Sequence, residues 1–158
     1  INTGEMLIGN IGSKYRFSYG AMGDNVNLGS RLEGLNKIYG TNIIIGQNTA
    51  EYAEKHFTLR MLGAVAVKGK QKPENVYELI AGKDKVLPDN HRFALDSYEK
   101  GYGHYKRQEW DAAIDCFSRG HELWGRDISC TVMMQRCRMY REMGHIENFN
   151  GVFIERRK

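Results

Sequence analysis

The feature that most constrains this chain is a change of periodicity at residues 82–89, "GKDKVLPD". Before it, apolar runs of strand length alternate with longer runs at helical spacing. After it, only helical spacing remains. A polar stretch carrying a Gly and a Pro reads as a linker. The two flanking tracts obey different periods, so they cannot share one repeating architecture. The chain is therefore expected to hold a mixed α and β region over 1–81, a linker over 82–89 and a helical tail over 90–158. Its 158 residues, 41% of them hydrophobic, are enough for one ordinary domain or two small ones.

Within the first tract, Met6, Leu7 and Ile8 sit between glycines, and Tyr15, Phe17 and Tyr19 alternate with Arg16 and Ser18. Both stretches read as strands. Val26, Leu28, Leu32, Leu35 and Ile38 recur at helical spacing, with Asp24 or Asn25 as a cap and Gly40 as a stop. A short strand follows over 42–45, then a helix over 47–55 with Thr49 as a candidate start. Residues 57–67 read as a hairpin turning near Gly63, and 75–80 as a strand after Pro73. Short connections between such elements predict a sheet with helices on one face.

The tail offers three amphipathic segments, 93–106, 110–123 and 129–143. Gly101, Ala113 and Phe117 stand at the small and aromatic offsets of a tetratricopeptide unit, while Ser97 and Lys100 replace its opening Trp and Leu. One such unit cannot stand alone. The tail is therefore expected to pack on the first region or on a partner protein. Phe93, Leu95, Trp110, Ile114, Phe117, Leu123 and Trp124 are too many large apolar residues to leave exposed.

Charge narrows the partners. The net charge is +4, but the basic residues are scattered and lack the clustered face that nucleic acid requires. Nucleotide-sized polyanions remain compatible with it. No apolar run approaches the roughly 20 residues of a membrane helix, and the start lacks the basic and small-residue signature of a signal peptide. The chain begins without Met, inside a strand-like run, and is read as a fragment of something longer. Cys116, Cys130 and Cys137 form no CxxC pair, which argues against zinc and a disulfide framework and for a reducing, cytoplasmic setting. Cys130 and Cys137 read as buried structural thiols.

Two stretches carry chemistry. In "GDNVNLGSRLE", residues 23–33, Asn27 and Arg31 lie four apart and share one helix face. They are either a solvated surface pair or a phosphate site, since an Arg fork matches phosphate oxygens and a helix start favours an anion. In "VKGKQKPENVYEL", residues 67–79, Lys68 and Lys70 flank Gly69, which lets the backbone approach a ligand closely. That stretch is either an exposed basic hairpin or a lysine reaching toward phosphate.

Taken in order, "TGEMLIGNIGSKYRFSYGAMGDNVNLGSRLE" and "VKGK" before a strand resemble the C-terminal half of a class III adenylate/guanylate cyclase catalytic domain. The resemblance covers residues 1–81 and implies an α+β fold, a ferredoxin-like half-domain followed here by the small all-α tail. It implies attack of the ATP ribose 3′-OH on the α-phosphate, releasing pyrophosphate and cyclic AMP. By the same resemblance Asn27 orients the ribose, Arg31 stabilises the transition state and Lys68 contacts the terminal phosphates. Gly20 falls where the family reads the purine and has no side chain to do so. The family also uses two Mg²⁺ or Mn²⁺ ions held by Asp residues on strands before "TGEMLIG". Those strands are absent, so this chain holds no metal site and alone is expected to be inactive. Family members assemble the site across a homodimer. The alternative is a degenerate cyclase-like module with a regulatory or protein-binding role.

Overall fold

The apolar run at Leu7 and Ile8 becomes β1 (Leu7–Ser13) and the alternation of aromatic and polar residues after it becomes β2 (Arg16–Met22), paired antiparallel with Leu7 opposite Met22. The computed structural model describes residues 1–13, 16–65 and 73–152. This two-stranded ribbon is a sheet of its own. Leu7, Ile8, Tyr19 and Met22 remain exposed on it.

Helix α1 (Asp24–Tyr39) follows, and its apolar spacing has the expected consequence: Leu28 and Leu32 are fully buried, with Leu35 and Ile38 packed against them. Neither Asp24 nor Asn25 caps the helix through its side chain, because Gly23 occupies the cap position. The Asn25 amide instead donates to the Glu5 carbonyl at 2.9 Å. The helix stops at Gly40, in the left-handed region with φ 65°, a conformation a side chain disfavours.

Strand β3 (Ile44–Gly46) leads directly into α2 (Gln47–Ala53). That helix starts behind Gly46, two residues before Thr49, whose hydroxyl is paired with that of Thr3 at 2.9 Å. Residues 57–65 form one strand, β4 (Phe57–Val65), and do not turn at Gly63. The reason is that β5 (Glu74–Gly82) partners β4 along its whole length, from Phe57 opposite Gly82 to Val65 opposite Glu74. A bulge between Met61 and Gly63 absorbs the irregularity. The strand order is β3-β5-β4, all antiparallel. The fold is mixed α+β, with its strands divided between two sheets.

Beyond the linker come α3 (Asp89–Lys106), α4 (Trp110–Trp124) and α5 (Ile128–Met143), close to the expected bounds. Helices α3 and α4 approach closely at Gly101, where a Cβ would lie 3.0 Å from the Phe117 ring. Trp110, Ala113 and Phe117 are buried, whereas Phe93 departs from expectation and is 58% exposed. Phe93 sits in the first turn and a half of α3, one residue before the buried Ala94, where it lines an open cleft with Asp115, Cys116 and Arg119 of α4. Tyr140 and Phe149 pack their rings on each other and on Trp110, at 5.2–5.6 Å.

A single hydrophobic cluster joins the two tracts: Leu28, Leu32, Leu62 and Val76 pack with Tyr98, Phe117, Met133 and Cys137. Residues 90–145 thus cover apolar surface of the first tract. Among the described residues, no helix is long and apolar enough to cross a membrane.

Candidate functional site

Asn27 and Arg31 are both exposed, one turn apart on α1. Their neighbours Leu28 and Leu32 are fully buried, so the opposite face of the helix is fixed in the core. Val26 and Asn27 donate their backbone N–H groups to Gly23 at 3.1 Å, forming the first turn tightly behind β2. Two further bonds hold this end, from the Asn25 amide to Glu5 and from the Asn2 amide to the Asn25 carbonyl at 3.0 Å. The result is a rigid rod that presents an amide and a guanidinium on one line. Such a pair can hold a hydroxyl and an anionic oxygen a helical turn apart.

Gly20 lies on β2 opposite Gly9, three residues before the turn into α1. A Cβ at Gly20 would come 3.1 Å from Ile11 Cδ1, so a side chain here would require Ile11 to shift. Only backbone is offered at this position. Lys68, with Gly69 and Lys70, lies outside the described residues. Among the described residues no group of three or more His, Cys, Asp or Glu side chains is placed to hold a metal ion. They do not fit the magnesium or manganese pair that the resemblance implies, and Asp24 alone is no substitute.

Two polar clusters escaped the sequence reading, because their members come from distant parts of the chain. Arg60 on β4 is 5% exposed and reaches Glu78 on β5, donating from Nε at 2.9 Å. It also pairs with Asp127, the N-cap of α5, and its guanidinium lies 4.8 Å from the Tyr98 ring centre. Burial opposes the Arg60 charge, but Glu78 and Asp127 outweigh it and raise the pKa further above its ordinary value. Burial raises that of Glu78, only partly offset by Arg60. In the second cluster the Tyr39 hydroxyl donates to the Leu62 carbonyl at 3.0 Å and accepts from Arg136 at 2.7 Å. Ser129 donates to the Tyr39 carbonyl at 3.0 Å. No local pattern marks any of these residues; at most, an Arg in a strand that alternates with apolar residues hints at a buried partner.

A cavity of about 1320 Å³ opens between β4, β5, the linker and α3, with Tyr77, Lys85, Phe93 and Lys106 on its walls. Neither Asn27 nor Arg31 lines it.

Residues 1–81 match the family described as the adenylate and guanylate cyclase catalytic domain. Among curated relatives, the terminal-differentiation-specific adenylate cyclase of Dictyostelium discoideum is 36% identical over 140 residues, 87% of this chain and 7% of that protein. Adenylate cyclase 1 of Rhizobium meliloti is 39% identical over 80 residues, 51% of this chain and 12% of that protein. The chain therefore spans a small part of the curated relatives it matches. Among solved structures, the adenylyl cyclase CyaB from P. aeruginosa is 30% identical with a TM-score of 0.43, covering 54% of this chain and 43% of that one. A bacterial light-regulated adenylyl cyclase is 26% identical with a TM-score of 0.42, covering 53% of this chain and 24% of that one.

Proposed function

Because the chain belongs to the adenylate and guanylate cyclase catalytic domain family, we propose that it supplies one side of an adenylate cyclase site. The observation that carries this reading is the pair Asn27 and Arg31, exposed one turn apart on a helix whose other face is locked in the core. The reaction is attack of the ATP ribose 3′-OH on the α-phosphorus, with pyrophosphate leaving and cyclic AMP formed. In it Asn27 holds the ribose, and Arg31 meets the negative charge that grows on the α-phosphate oxygens. Lys68 binds the terminal phosphates. At Gly20 only backbone meets the base. ATP is favoured over GTP because the matching curated relatives are named adenylate cyclases.

The remaining parts of the site come from outside these residues. In keeping with the family resemblance, Asp residues outside this stretch supply the Mg²⁺ or Mn²⁺ ligands, and the site closes across a homodimer. Residues 1–81 are the cyclase half, 82–89 the linker, and 90–158 a tetratricopeptide-like tail open to a protein partner in the cytoplasm.

The test is Arg31→Ala in the full-length protein. Turnover is expected to fall at least about 100-fold with little change in ATP affinity, because the charge Arg31 meets develops mainly in the transition state. A raised KM with unchanged kcat contradicts the role. The chain alone, incubated with ATP and Mn²⁺, is expected to yield no cyclic AMP. A second reading is favoured by the bare backbone at Gly20: a cyclase-like module that regulates or binds a protein without making product. Full-length protein that makes no cyclic AMP from ATP, but retains a protein partner, would select it.

A further inference from the structure

Helix α1 is held at both ends, and the clamp at its C-terminal end belongs to the tail. Ser129, in the first turn of α5, donates to the Tyr39 carbonyl at 3.0 Å, one of the carbonyls a helix end leaves without an intrahelical partner. Arg136, two turns further along α5, donates to the Tyr39 hydroxyl at 2.7 Å, and that hydroxyl donates to Leu62 on the β4 bulge. At Gly40 the two helices are so close that a Cβ would lie 2.5 Å from Ile128. Asp127, which caps α5 by accepting from the Ser129 N–H at 2.8 Å, is itself tied to Arg60 on β4. Tyr39, Arg60, Leu62, Asp127, Ser129 and Arg136 are all buried. The end of α1, the bulge of β4 and the start of α5 thus meet in a single polar knot.

An α-helix is stiff along its axis, and Arg31 lies eight residues before Tyr39, about 12 Å away at 1.5 Å per residue. A shift or rotation of the Tyr39 end is therefore carried to Arg31 nearly undiminished. We infer that Tyr39, Ser129 and Arg136 are positioning residues: the tail, through α5, sets where α1 presents Arg31 and Asn27, so that whatever moves α5 tunes catalysis. This inference rests on the cyclase reading above. It assigns the tail an action on the site in place of a purely structural role. The coupling acts through a discrete element, one helix clamped at its far end. A partner bound to the tail would be read out at Arg31 without touching nucleotide.

The test uses the full-length protein carrying Tyr39→Phe, Ser129→Ala or the pair. Tyr39→Phe removes both bonds of the Tyr39 hydroxyl and Ser129→Ala the bond to the Tyr39 carbonyl, and each keeps the shape of the core. Misplacing a catalytic group by a fraction of an ångström costs rate more than binding. The paired variant is expected to lose about 5- to 20-fold in kcat with KM for ATP within about twofold. Amide exchange is expected to rise along residues 24–40 and to stay unchanged in α4. Arg136→Lys, which keeps a donor, is expected to retain most of the activity that Arg136→Met loses. Arg31→Ala, run in parallel, separates the two claims. If Arg31→Ala abolishes turnover and the paired variant leaves kcat intact, the positioning role is overturned. If Arg31→Ala is harmless, the cyclase reading of that residue falls and exchange alone decides: unchanged protection of 24–40 in the paired variant overturns the clamp.

Discussion

The two sheets began from the same kind of sequence and ended in opposite states. β1 opens on Leu7 and Ile8 and β2 alternates aromatic and polar residues, yet Leu7 is 74% and Tyr19 76% exposed. In the β3-β5-β4 sheet, Ile44, Ile45, Leu62 and Val76 are at most 1% exposed. What separates them is a second layer. The three-stranded sheet is covered by α1 and by the tail, whose α5 brings Asp127, Ser129 and Arg136 down onto β4 and the end of α1. The ribbon has no such cover among the described residues. An alternating pattern qualifies a strand for burial, and only a packed partner layer carries the burial out.

That contrast is broken most directly at Arg60. Arg60→Ala would leave Glu78 and Asp127 buried without their cation. Removal of one partner from a buried ion pair costs about 3–5 kcal/mol. Denaturant unfolding should therefore show a large loss of stability; a loss under about 1 kcal/mol would mean that the cluster is solvated and that the covering layer is loose. Next in size is Gly40→Ala, which forces a side chain into the left-handed region and against Ile128. It should cost about 1–3 kcal/mol, and a neutral result would break the close approach of α1 and α5.

On the ribbon the same experiment should do far less to stability and more to association. Replacing both Leu7 and Tyr19 by Ser should change unfolding free energy by no more than about 0.5 kcal/mol, the usual range for surface sites. An unpaired apolar ribbon is also a template for self-association. The unaltered chain is accordingly expected to be a dimer or larger in light scattering, and the Leu7→Ser, Tyr19→Ser variant a smaller species. A monomeric unaltered chain would show that exposure at the ribbon has no such consequence.

The smallest effect belongs to Glu109. Bonds from Arg107 and His104 bring its carboxyl down to about 2, yet the group is solvent-exposed. A carboxyl depressed in the folded state adds stability above its unfolded value, and that contribution fades as pH falls through about 4.5 toward 2. Solvent screening leaves little of it. Thermal melts of Glu109→Gln and the unaltered chain, compared at pH 6 and pH 2.5, should show nearly the same acid shift. A clear difference between the two would make this surface trio more than ornamental to the helical layer.

Several features were legible in the residues alone. The change from strands to helices was, since β5 ends at Gly82 and α3 begins at Asp89. So were α1 with its stop at Gly40, and the three tail helices, because local spacing and the left-handed preference of glycine act over a few residues. The pairing of Asn27 with Arg31 on one face followed from helix geometry for the same reason. Tertiary structure decided the rest. It made 57–65 one strand because β5, the next strand in the chain, pairs with it from end to end and supplies the hydrogen bonds that a turn at Gly63 would have forfeited. It kept Asn25 from capping because the helix starts one residue earlier, behind Gly23, while the Asn25 amide donates to the Glu5 carbonyl, and it left Phe93 exposed at an open cleft between α3 and α4. Above all it joined Tyr39, Leu62, Ser129 and Arg136, residues up to 97 apart. Hydrogen bonds between residues so distant leave no local trace in a sequence; they exist only once a common core has brought the elements together.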